Sequence, residues 1–64
     1  MNLKQYYGQT VQITSVNEQL FVGIVTDYFY PEDNEADEES IVVDTAQNGI
    51  IEFYEKEIKE ITII

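Results

Sequence analysis

Asp33, Glu35, Asp37 and Glu39 alternate along one short stretch of the chain, and Asn34 lies between the first two. Side chains rich in hard oxygens at alternate positions are what a calcium ion takes, since it gathers six to eight such ligands. The calcium loop of an EF-hand also needs a glycine at its sixth position for a sharp turn, and no glycine lies between Tyr30 and Ser40. Alternation in an extended segment does not by itself bring ligands together. The four acids therefore stand as candidates for a metal or for docking a basic partner. Against them is the plainer reading of a solvated connection between strands. No metal or other cofactor is assigned.

Catalysis finds little to work with. The chain has no histidine and no cysteine, which removes the commonest general base and any thiolate nucleophile or ligand. Paired carboxylates can do acid–base work when their environments push their pKa values apart. Here six of the eight residues from Glu32 to Glu39 are acidic and share one polar segment without an apolar pocket. The expectation is a protein that is not an enzyme. Tyr6, Tyr7, Tyr28, Phe29, Tyr30, Phe53 and Tyr54 offer rings on which bases can stack, but such platforms sit in positive grooves. The formal charge is −10, with three lysines and no arginine. Affinity for nucleic acid rests on cations that neutralise phosphates, and anionic membranes attract basic segments, so this balance argues against both. Core packing and subunit contacts are the expected use of the rings.

The elements that must position these residues read mostly as strands. Asn2 is placed to cap a short turn or helix over Leu3–Tyr7 that ends at Gly8. From Gln9 to Val16 the period becomes two, with Val11 and Ile13 on one side. Asn17-Glu18 marks a tight turn. Gln19 to Phe29 is a long strand with Gly23 inside it, which signals a bulge, a bend or a close backbone approach. Phe21 and Val25 lie on one face of that strand and Leu20, Val22 and Ile24 on the other, so both faces are expected to be covered. Further strands are predicted over Ser40–Asp44, Ile50–Tyr54 and Ile58–Ile64, with Asn48-Gly49 turning the first of these into the second. Sixty-four residues make one domain, 1–64, interrupted only by the acidic loop at 30–39. Five short strands with a glycine inside the longest suggest a small, strongly bent antiparallel barrel behind a short N-terminal helix.

Three stretches resemble the Sm-like (LSM) family. "YYGQTVQI", Tyr6 to Ile13, is similar to the family's short helix, glycine and first strand. "FVGIV", Phe21 to Val25, looks like its bent second strand, and "EIKEITII", Glu57 to Ile64, like its closing strand. The resemblance implies a bent five-stranded barrel, subunits joined edge to edge through their last two strands, and rings that commonly bind RNA. The family's RNA contacts come from an Asp-x-x-x-Asn type stretch after the second strand and an Arg-Gly type turn between the last strands. Asp27 stands about where the first acid would, but no Asn follows until Asn34, and the later turn reads "TAQNGI" without an arginine. No RNA-binding residue is carried over.

These readings converge on an all-β Sm-like barrel that associates with itself and acts, without catalysis, in protein interaction or scaffolding. The rival is an RNA-binding Sm-like ring. Ile50, Phe53, Ile61 and Ile63 are the expected oligomer-interface residues, because the last two strands carry apolar residues on both faces. A basic protein is the expected outside partner. No apolar run reaches the roughly 18 residues of a membrane helix, no signal-peptide pattern opens the chain, and the lack of cysteine favours a cytoplasmic setting.

Overall fold

The computed structural model describes residues 1–64. Five strands follow one another: β1 Thr10–Ser15, β2 Leu20–Phe29, β3 Ser40–Thr45, β4 Gly49–Tyr54 and β5 Ile58–Ile63. All neighbours pair antiparallel in one sheet of order β4-β3-β2-β1-β5. Single turns of 3-10 helix cover Leu3–Tyr6, Pro31–Asp33 and Glu55–Glu57. The expected N-terminal helix is thus one tight turn, and Asn2 makes no side-chain cap bond to it.

The expected closed barrel is corrected to an open, curled sheet. β4 pairs only with β3 and β5 only with β1. Strands lie about 4.8 Å apart, so the outer two strands of a flat five-stranded sheet would stand about 19 Å apart. Tyr54 and Ile58 are joined by only the three residues Glu55–Glu57, a tether that reaches about 14 Å when fully stretched. The sheet must therefore curl until its edges approach at that end. They approach without forming a ladder.

The curl has visible sources. The β2–β3 register slips between Val25 and Asp27, which leaves Thr26 as an extra residue. A bulge of this kind bends and twists its strand. It also switches the side chains, so that Val25 and Tyr28, an odd number of residues apart, both meet the core. A second irregularity lies between Thr14 and Ser15, opposite β5. Gly23 is not the bulge. It sits where the chain passes closest to β3: a Cβ there would lie 2.8 Å from the carbonyl carbon of Asp44 and 2.8 Å from the Cα of Thr45.

The concave face holds the core. Val11, Ile13, Val25, Ile41, Val43, Phe53 and Ile58 are buried together, and Leu3 from the N-terminal turn closes over them. Three buried hydroxyls stand at strand ends, and each ties down a loop. Ser15 Oγ accepts from Gln19 N and donates to Asn17 Oδ1. Ser40 Oγ accepts from Asn34 Nδ2 (3.1 Å) and donates to Glu52 Oε2 (2.8 Å). Thr45 Oγ1 accepts from Asn48 N (2.9 Å) and donates to Gly49 O (2.6 Å). No buried side-chain nitrogen or oxygen lacks a partner, as a small core requires when each unpaired polar group costs about 1–3 kcal/mol.

Two residues other than glycine take a positive φ, Glu18 and, in the acidic loop, Asp37 at 56°. Ala46–Asn48 links β3 to β4, and Gly49 takes the positive φ of 76° that a glycine there permits. The β1–β2 turn instead sets Glu18 at a φ of 69°, a left-handed conformation costly for a residue with a Cβ.

Candidate interaction site: acidic loop, free edges and outer face

The acidic loop is folded against the sheet at its C-terminal end and presents its charge at the other. Asp33 N and Asn34 N bond back to the carbonyls of Tyr30 and Pro31, and Asp37 N to that of Asn34. Asn34 Nδ2 donates to Glu38 O at 2.8 Å. Glu32, Asp33, Glu35 and Asp37 are exposed, whereas Glu38 and Glu39 are half-buried. Glu38 accepts from Lys56 N at 3.0 Å. Glu39 accepts the backbone N–H of Leu3 and the Tyr28 hydroxyl, the latter at 3.0 Å. It therefore does for the N-terminal turn what Asn2 was expected to do. The reading of a wholly solvated connection fails for these two acids, because their partners lie up to 36 residues away in the chain and only folding brings them near.

The four alternating acids do not assemble. No three acidic side chains lie close enough together to hold a metal ion. Asp33, Glu35 and Asp37 face solvent while Glu39 turns inward to Leu3 and Tyr28. Burial, followed by the bond to the Glu39 carboxylate, pushes the Tyr28 phenol up to about 12. The Met1 ammonium, which donates to Glu55 at 2.5 Å, is also raised, first by that hydrogen bond and then by the carboxylate's charge.

The expected interface residues separate by burial. Ile50 is 74% exposed and Ile63 50%, but Phe53 is 4% exposed and Ile61 is packed half-buried against the core. Phe53 is corrected to a core residue, because the curl brings its ring edge-on to Phe21 with centroids 5.1 Å apart. Beside that pair, Ser15, Val16 and Gln19 from one side and Ile51 and Glu57 from the other line an open cleft of about 240 Å³.

The lysines are all engaged. Lys59 pairs with Glu18 at 2.5 Å and Lys56 lies 3.8 Å from Glu38. Lys4 donates to the Tyr30 hydroxyl at 2.6 Å, its ammonium 5.0 Å from that ring's centre. Ion pairs this exposed contribute about 0–1 kcal/mol each, so they order side chains more than they stabilise the fold.

One surface was misread in the sequence. Leu20, Val22 and Ile24 were expected to be covered, yet 63%, 43% and 50% of their surfaces remain exposed on the convex side of β2. The signal was present, since β2 is apolar on both faces, but one layer of sheet and a single helical turn cover only the concave side. No helix is long and apolar enough to cross a membrane. In comparison with known proteins, the chain matches no family model, no curated protein and no solved structure.

Proposed function

We propose that this chain is a non-catalytic, self-associating module of the Sm-like type that acts in protein interaction or scaffolding. One observation carries the reading: the last two strands, β4 and β5, are the two unpaired edges of a curled sheet. An unpaired edge is a template for another strand. Because the two edges differ, pairing the β4 edge of one copy with the β5 edge of the next is head-to-tail, and such contacts close into rings when the rotation allows. The bend in β2 and the short helical turn before β1 are features that the resemblance carried by Tyr6–Ile13 and Phe21–Val25 implies, and they support the reading. The −10 charge and the absence of arginine favour protein over RNA as the partner.

Sedimentation at two protein concentrations tests the assembly. The expected result is a mass that is a multiple of 7.4 kDa, reduced by Ile63→Lys on the β5 edge. A mass of 7.4 kDa throughout, with cooperative unfolding, overturns the reading. A gel-shift with oligo-uridine at low salt addresses the rival, since low salt favours every phosphate contact. Micromolar or tighter binding with a clear salt slope would replace the protein-interaction role with an RNA-binding ring.

A further inference from the structure

β2 is the middle strand of the sheet, two strands from either edge. Edge-to-edge assembly would leave its convex side uncovered. Along that side the cross-strand register builds three rows. Ile24 lies between Thr10 and Asp44, with Ile50 beyond Asp44. Val22 lies opposite Gln12, which faces Thr62, and Leu20 lies opposite Thr14, which faces Glu60. The rows thus carry an apolar stripe along β2 flanked by small neutral polar side chains. Their only charges are the carboxylates of Asp44 and Glu60. Lys4 and Lys56 are held by Tyr30 and Glu38, and Lys59, beside Glu60 in β5, is taken up by its pair with Glu18. At one end of the stripe, Leu20 and Val22 meet Ala46, Gln47 and Asn48 of the β3–β4 turn in a depression of about 410 Å³.

We propose that the convex side of β2 is a docking face for an amphipathic, lysine- or arginine-flanked segment of another protein, with Leu20, Val22 and Ile24 as its apolar anchors and Asp44 and Glu60 as its charge partners. The inference rests on the interaction-module reading and names a surface and a partner chemistry for it. A contiguous apolar patch rimmed by polar groups marks an interaction surface, and the sign of its charges selects the partner. A second copy of this chain does not fit. A two-fold contact through this face offers Asp44 and Glu60 no cation, since the three rows of the second copy carry none. A cationic segment meets the same carboxylates favourably. The length also suits a helix: Leu20 to Ile24 spans about 13 Å of strand, close to the ~11 Å of two helical turns, so leucines at i, i+4 and i+8 can follow the stripe.

The test titrates the full-length, isotope-labelled protein with a synthetic helical peptide carrying leucines at i, i+4 and i+8 on a lysine background. Its controls are the same peptide with glutamate in place of lysine and one with the leucines scrambled. Amide shifts should concentrate in residues 10–14, 20–24 and 44–50. Replacing Leu20, Val22 and Ile24 by threonine, which keeps strand preference, should weaken binding by about tenfold or more. Asp44→Asn should weaken it less and flatten its salt dependence. Shifts confined to residues 32–39 would overturn the proposal, as would equal binding of either control peptide or binding of the threonine variant within about twofold of the parent. Circular dichroism confirms that the threonine variant is folded, and Asp44→Asn provides a second reading of the same face. Sedimentation of the threonine variant separates the two ideas. If the parent assembles and the peptide does not bind, only the docking face fails. If the peptide binds a monomer, only the assembly fails. If the threonine substitutions themselves lower the assembled mass, a second copy occupies this face and the proposal is wrong.

Discussion

Glu39 anchors the N-terminal turn through the Leu3 N–H and holds the Tyr28 hydroxyl with its other oxygen. Hydrogen bonds to a charged group contribute about 1.5–3 kcal/mol each, and removing the acceptor leaves two half-buried donors unpaired. Glu39→Ala is therefore expected to lower stability by about 2–3 kcal/mol in urea denaturation. Glu35→Ala, on the exposed part of the same loop, should change it by less than about 0.5 kcal/mol. Equal effects would show that Glu39 is as solvated as its neighbours. Tyr28 gives a spectroscopic readout of the same pair. Its folded pKa of about 12 stands above the ordinary value near 10. Above pH 10 the unfolded chain loses this proton while the folded one keeps it, so the contribution is intact below about pH 10 and is lost as pH rises through 12. Tyrosinate absorbance should show a component titrating near 12 that moves down in Glu39→Gln. It should return only part of the way, because burial is the larger cause.

At the scale of elements, β2 decides the shape. The bulge at Thr26 bends it, and Gly23 lets it lie against β3. Gly23→Ala would drive a Cβ into the Asp44 carbonyl and the Thr45 backbone, and backbone cannot turn aside as a side chain can. The expected cost is about 3 kcal/mol or more, large against the few kcal/mol that hold a chain of this length. An unchanged melting temperature for that variant would show that β2 and β3 do not approach this closely. The glycine was legible in the sequence as a bulge, a bend or a close backbone approach, and the structure selects the close approach. The bulge itself falls on Thr26, whose type gives no local signal. The strand boundaries themselves followed from the alternation of residues such as Val11 and Ile13, because a period of two is a local property.

At the scale of the whole molecule, charge opposes compactness. The exposed acids Glu32, Asp33, Glu35 and Asp37 make no ion pair with any lysine. Neutralising those four by amide substitution takes the net charge from −10 to −6, since −10 + 4 = −6. The fold should then be equally or more stable, because self-repulsion falls while the bonds of Glu38 and Glu39 remain. The urea midpoint of the parent should rise between 50 and 500 mM sodium chloride, as the screening length drops from above ~10 Å to below it, and should rise less in the neutralised variant. A marked loss of stability in that variant would mean that the exposed acids have partners in solution.

The sequence by itself determined the strands, the hairpin at Asn48-Gly49, the grouping of Val11 with Ile13 on one side of its strand, and the net charge of −10. Each depends on residue type and on spacing within a few residues. Only the tertiary structure decided that the sheet stays open, that Phe53 belongs to the core, that Glu39 serves Leu3, and that Leu20, Val22 and Ile24 stand uncovered. Those outcomes depend on which distant segments meet. Sheet curl and register slips set those meetings, and no local pattern encodes them; the three-residue tether between β4 and β5 is local, but it forces a curl only because those strands stand at opposite edges of the sheet.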